Sequence, residues 1–208
     1  MTGRFISLEG GEGAGKSTQM RALAQALRKR GLDVVETREP GGSAGAEAIR
    51  GLLLTGDADR WGARAEALLF AAARADHVER TIRPALAAGQ WVVSDRFLDS
   101  SRAYQGETGG MGDDDIVTLH RIGSEGLLPD RTLVLTLPEA EAAARAHARD
   151  GGEGDRIGGR DAAFHRKVAG RFAAIAAHEP ERVRLIDASG TADDVTGRLM
   201  AALADLLP

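Results

Sequence analysis

Between a short apolar run, "RFISL" at residues 4–8, and an amphipathic stretch beginning at Lys16 lies "EGGEGAGKST", in which Gly10, Gly11, Gly13 and Gly15 crowd into six positions. Glycine loses more backbone entropy on folding than any other residue, so this much bare main chain implies a backbone that must turn sharply or approach a partner closely. The spacing Gly10-x-x-x-x-Gly15-Lys16-Ser17 is the P-loop pattern, and it stands where the pattern has a mechanism, after a strand and at the start of a helix. From Gly10 through Glu12 and Ala14 to Thr18, successive N–H groups are expected to turn inward and cradle phosphate oxygens, helped by the positive end of the helix. Lys16 then reaches the β- and γ-phosphates of ATP, and the Ser17 hydroxyl ligates Mg²⁺. A dinucleotide loop fails on spacing, because Gly11-x-Gly13 is followed by Lys16 where a third glycine belongs.

The remainder of the chain alternates β-branched runs with longer amphipathic ones. Strands are expected at 4–8, 33–37, 91–95, 132–137 and 182–187. Lys16 to Arg30 sets Met20, Leu23, Ala24 and Leu27 on one helical stripe, with Gly31 as its stop signal. Residues 66–88 read as a long Ala/Leu-rich helix that Pro84 kinks or interrupts. The acids Asp113, Asp114 and Asp115 are expected to cap the helix that follows them and complement its dipole. This alternation predicts an α/β fold of the P-loop NTPase kind: a five-stranded parallel sheet flanked by helices on both faces, as one domain spanning 1–208. The Gly-rich "RDGGEGDRIGGRD" at 149–161 suits a mobile loop.

Composition narrows the function. The formal charge of −4 argues against a general nucleic-acid or anionic-membrane binder. With no cysteine there is no disulfide, thiolate metal site or Cys nucleophile. The five histidines lack metal-ligand spacing and are read as structural or surface groups. No leader-like h-region and no bilayer-length apolar run is visible, so the expected address is the cytoplasm.

A P-loop alone leaves kinase, switch and motor open. "WVVSDR" delivers Asp95 at the end of a buried-looking strand, the place from which an acid reaches Mg²⁺. Arg96 follows it where many ATPases carry a second acid. A kinase acting on a phosphorylated acceptor must bring two polyanions into line, which arginine and Mg²⁺ make possible. Arg38, Arg50, Arg74 and Arg96 fall near strand ends or on segments able to converge there, and Arg145, Arg149, Arg156 and Arg160 surround the Gly-rich loop.

In "EGGEGAGKSTQ", "TREPGG" (37–42), "LLFAAARADH" (68–77), "SDRFLDSSRAYQG" (94–106) and "LLPDRTLVLTLP" (127–138) the chain resembles the thymidylate kinase family, in block order and spacing. The resemblance implies transfer of the ATP γ-phosphoryl group to dTMP with Mg²⁺, by a homodimer. It implies that Phe70 stacks on thymine, that Arg74 donates to its O4, and that Ser101 and Gln105 complete the base pocket beside Ser100. Tyr104 would lie under the sugar where a 2′-hydroxyl collides. Arg50 and Arg96 would grip the acceptor phosphate, with Glu39 and Pro40 in the supporting loop, Glu39 holding the arginines in place and Arg38 bracing the same loop. Glu12 would face the acceptor sugar or Mg²⁺-bound water. With Gly13 where some members carry a P-loop arginine, the resemblance points to a lid at about 145–161 as the source of the catalytic arginine, Arg149 or Arg156 leading. Two other readings stay open: a different nucleoside monophosphate kinase on this scaffold, and a P-loop module whose nucleotide state recruits a protein partner.

Overall fold

The computed structural model describes residues 2–57, 59–106, 108–150 and 160–208; side chains at 143 and 146–150 are not among those described. Strand β1 (Phe5–Gly10) is buried along its length and leads through the glycine loop into α1 (Lys16–Lys29). β2 (Val34–Arg38) is followed by α2 (Ala44–Leu54) and α3 (Ala63–His77). A π-helical turn, Val78–Ile82, joins α3 to α4 (Arg83–Ala87). β3 (Trp91–Asp95) then leads to α5 (Leu98–Ser101), a second π turn (Arg102–Gly106) and α6 (Asp113–Ser124). β4 (Arg131–Thr136), α7 (Glu139–Asp150), α8 (Ala162–His178), β5 (Val183–Asp187) and α9 (Ala192–Ala201) complete the order. The five strands pair in parallel in the order β2-β3-β1-β4-β5.

The expected strands all form, with bounds matching to within two residues. α1 ends as expected: Gly31, at φ 81°, turns the chain, and Leu32 N–H bonds back to the Leu27 carbonyl, the closing bond of a Schellman cap. The long helix forms too, and Pro84 does not break it. Proline has no N–H to donate, and the π turn before it lets Arg83 N–H reach back to Val78, so the helix widens by one residue and continues. Asp113 does open α6, but it makes no side-chain cap bond; it bonds Arg102 and Arg171 instead.

Alternation along β1 fills both faces of the sheet. Ile6 and Leu8 pack with Leu23, Leu27 and Leu199 under α1 and α9, while Phe5 packs with Val92, Ile82 and Phe97 under the helices of the other face. A third cluster joins Tyr104 to Phe172 and Ile175 of α8. Among the described residues no helix is long and apolar enough to cross a membrane.

Under the site lies a buried charge network. Asp99 of α5 is fully enclosed and accepts from Arg182 at 2.6 and 2.9 Å, from Thr132 at 3.0 Å and from Arg102 at 3.2 Å. Burial opposes its charge, yet Arg182, Arg102 and Thr132 hold the carboxyl below the ordinary range. Removing one member of such a network leaves the other charges desolvated and uncompensated. Asp99→Ala is expected to cost about 3–5 kcal/mol, read as a lower urea midpoint at unchanged slope.

Candidate functional site

In a parallel α/β sheet, ligands bind outside the carboxyl ends of the strands where the strand order reverses. Here that edge carries the glycine loop after β1, Glu39 after β2, Arg96 after β3 and the loop after β5. Gly10 (φ 136°) could not bear a side chain, because a Cβ would meet the Leu135 carbonyl oxygen at 2.6 Å. Gly15 caps α1 in the left-handed region at φ 84°. Lys16 folds back over the loop and donates to the carbonyls of Gly10 at 3.1 Å and Gly11 at 2.8 Å. Burial, then the Arg96 charge, lower its pKa to about 8, against the pull of Glu12, Asp95 and Glu9.

Register puts the second acid in place. Leu8 of β1 pairs with Asp95 of β3, and Ser17 Oγ donates to Asp95 Oδ2 at 2.9 Å. A hydroxyl and a carboxylate are hard oxygen donors that leave room for water and phosphate oxygens, a set that fits Mg²⁺. The next residue, Arg96, has φ 71°, and its N–H bonds the Leu8 carbonyl at 2.9 Å. A positive φ is uncommon for a long side chain. Here it aims the guanidinium into the site, where Arg96 donates to Gly10 O at 3.2 Å, Ser100 Oγ at 3.1 Å and Glu12 Oε1 at 2.8 Å, over the Tyr104 ring at 5.1 Å. Burial works against its charge, but Tyr104 and the acids Glu12, Asp95 and Glu9 raise its pKa further.

Beside it opens a cleft of about 550 Å³. Glu39, Pro40 and Arg50 line one wall, Phe70 and Arg74 another, and Arg96, Ser100, Ser101, Tyr104 and Gln105 the rest, with Glu12 at the loop end. All the residues assigned to the acceptor therefore converge on one cavity, together with Leu54 and Phe97, which sequence reasoning did not select. Arg74 is almost wholly buried; it donates to Glu39 Oε2 at 2.8 Å, Ser101 Oγ at 2.9 Å and the Phe97 carbonyl at 3.1 Å. Among the described residues its other terminal nitrogen, Nη1, has no hydrogen-bond partner, which leaves a donor for the cleft. The expected role of Glu39 needs correction here. Among the described residues it is not bonded to Arg96, whose partners are Gly10, Ser100 and Glu12; it holds Arg74 and His77, whose Nδ1 donates to it at 3.0 Å while Nε2 meets Thr37 Oγ1 at 2.6 Å. Arg50 donates to the Pro40 carbonyl at 2.6 Å, and Arg38 braces the loop through Glu47 at 3.1 Å.

On the far side of the glycine loop a second cleft, of about 890 Å³, is lined by Gly13, Gly15, Thr18, Gly190, Thr191 and Arg145, among others. Of the lid arginines, Arg145 stands at this cleft, whereas Arg160 pairs with Glu66 at 3.1 Å. Arg156 and the Arg149 side chain lie outside the described residues, as do Gly151, Gly152 and Gly158.

Sequence reasoning missed several groups. The loop after β5 supplies Gly190 and Thr191 to the second cleft, and its local sequence signal is the capping box that Thr191 and Asp194 form. Glu66, Phe70 and Arg74 recur at four-residue spacing on α3, which puts all three on one helical face and was a usable signal. Glu9 was visible as an acid within an apolar strand. It accepts from Phe97 N at 2.8 Å and from the Ser100 hydroxyl. Burial, then repulsion from Asp99, push its pKa up to about 8, against Ser100, Arg96 and Phe97. Between the ordinary carboxylate range and about 8, the folded chain keeps this proton and the unfolded chain has lost it. The group therefore makes stability fall as pH rises through that window, with no further slope above it. Glu9→Gln keeps the shape without the titration, and should flatten the fall in Tm between roughly pH 5 and pH 8; an unchanged slope contradicts a protonated Glu9.

Comparison with known proteins follows the same lines. The model of the family described as thymidylate kinase matches residues 8–198. A thymidylate kinase of Rhizorhabdus wittichii is 68% identical over 208 residues, covering 100% of both chains. One from Nitrobacter winogradskyi is 50% identical over 204 residues, 98% of this chain and 89% of the relative. The crystal structure of thymidylate kinase from Ehrlichia chaffeensis superposes with a TM-score of 0.80 at 29% identity, covering 98% of this chain and 100% of that one. The chain belongs to the thymidylate kinase family.

Proposed function

We propose that this chain, a dTMP kinase, binds dTMP in the Arg74 cleft and ATP across the glycine loop, and that it acts as one P-loop kinase domain over residues 1–208. The observation that carries the site assignment is the convergence of Phe70, Arg74, Ser101, Tyr104 and Gln105 on one cavity beside Arg96 and the P-loop. Phe70 offers an aromatic face to the base, and the remaining Arg74 donor suits the thymine O4 acceptor; cytosine presents an amino group there and would set donor against donor. The Tyr104 ring, fixed between Arg96 and α8, leaves little room beside a deoxyribose for a 2′-hydroxyl.

Chemistry follows from charge placement. The acceptor phosphate, with a second pKa near ~6, already offers an anionic oxygen at neutral pH, so the reaction needs no general base. That oxygen attacks the γ-phosphorus in line while ADP leaves. Lys16 moves from the Gly10 and Gly11 carbonyls to the β- and γ-phosphates. Arg96 exchanges its Glu12 contact for acceptor phosphate oxygens, helped by Arg50. Ser17 and Asp95 would hold Mg²⁺, which would neutralise charge on the donor phosphates. A lid over about 145–161 supplies the remaining arginine and excludes water, with Arg149 and Arg156 as the residues to test.

The chain works in the cytoplasm on this reading, as a homodimer. Supporting the dimer, Leu52, Leu68, Val117 and Ile122 are exposed on α2, α3 and α6, which pack side by side. Ile122→Glu should lower the mass measured by sedimentation from that of a pair to that of one chain; an unchanged mass rejects this face.

The decisive assay offers dTMP, dUMP, ribo-TMP, dCMP, dGMP and AMP as acceptors and measures ADP release from MgATP. dTMP should be used best, and Arg74→Ala should lower kcat/KM for dTMP by at least about a hundredfold, since it removes a buried charged donor and leaves the Glu39 carboxylate buried without its guanidinium partner. Turnover indifferent to the acceptor would reject the cleft assignment.

A further inference from the structure

Gln105 sits at the cleft with its amide already committed on one side. Its Nε2 donates to Glu66 Oε1 at 3.0 Å, and Glu66 is nearly enclosed. A carboxylate only accepts, so the amide facing it must turn its NH₂ group that way. The amide oxygen is thereby turned aside, and among the described residues Oε1 has no hydrogen-bond partner, although Gln105 lines the cleft. Arg160 supplies the countercharge: its Nη2 lies 3.1 and 3.2 Å from the two Glu66 oxygens, and its guanidinium rests 4.5 Å over the Phe164 ring.

We propose that Glu66, held by Arg160, is a positioning residue for base choice: it fixes the Gln105 amide so that only its carbonyl oxygen faces the pyrimidine edge. This rests on the cleft being the dTMP site. An acceptor there matches the N3–H of thymine, beside the Arg74 donor that matches O4. Cytosine carries an acceptor at N3 and a donor at C4, so both positions oppose it, and a buried mismatched polar pair rejects a ligand far more strongly than lost apolar contact does. Were the Gln105 amide free to turn, it would offer its NH₂ to cytosine N3 equally well. Glu66 thus removes a choice that a glutamine alone leaves open.

The test compares kcat/KM for dTMP and dCMP in the full chain, its Glu66→Gln, Arg160→Gln and Arg160→Lys variants, with KM for ATP measured alongside. Glu66→Gln places an amide opposite an amide and frees Gln105 to turn. The dTMP:dCMP ratio should fall by about tenfold or more, mainly through a higher KM for dTMP, with kcat and KM for ATP changed less than about threefold. Arg160→Gln should move the ratio the same way by a smaller factor, and Arg160→Lys should restore most of it. If Glu66→Gln does not fold, as judged by circular dichroism, Arg160→Gln decides: a ratio within about twofold of the parent overturns the proposal. A loss of kcat with the ratio intact in Glu66→Gln also overturns it, because a merely structural role would do that. Absence of any dTMP preference in the parent chain would instead reject the cleft assignment itself.

Discussion

Glu39 and Arg74 place opposite charges 2.8 Å apart where water hardly reaches, and each is costly to bury without the other. Glu39 stands just after β2 and Arg74 lies in the last turn of α3, so the pair ties the sheet edge to a helix that lines the cleft. His77 and Thr37 extend the tie, and Ser101 and the Phe97 carbonyl carry it to the segment after β3. Three separate stretches of chain are thus set by one guanidinium. The same guanidinium keeps a donor for the cleft, so the group that rigidifies the cavity also lines it.

Similar logic recurs at each buried acid. Asp99 is held by Arg182 and Arg102, and it roots α5, from which Ser100 and Ser101 project. Glu66 is held by Arg160 and Gln105. Among the described residues Glu9 has no ion-pair partner as close as these, and it resolves its burial by keeping a proton to about 8. Two ways of burying a carboxylate, by pairing and by protonation, therefore stand within one site. The paired acids fix geometry, whereas the protonated one removes a negative charge from the neighbourhood of Lys16 and Arg96.

Some features were plain along the chain and some were not. The glycine loop, the five strands and the Gly31 stop are local: each depends on residues within a few positions, and each formed as expected. Pro84 shows the limit of local reading, since a helix packed on the sheet gains more from continuing through a π turn than it loses at one proline. Asp113 shows another, for its carboxylate meets Arg102 and Arg171 from distant segments in preference to its own helix end. Partners of Glu39 were misjudged for the same reason, since every arginine nearby offers the same chemistry and only packing decides which one arrives.

By itself the sequence determined the kind of backbone needed to hold phosphate and the parallel α/β alternation, because spacing and side-chain chemistry are properties of the chain, whereas the residues of the cleft were singled out through the resemblance to the thymidylate kinase family. Tertiary structure alone decided which polar groups pair. Ser17 with Asp95, Arg96 with Glu12, Arg74 with Glu39 and Gln105 with Glu66 are separated by 78, 84, 35 and 39 positions. A hydrogen bond exists only at the few ångströms that strand register and helix packing create, and no local pattern encodes that distance.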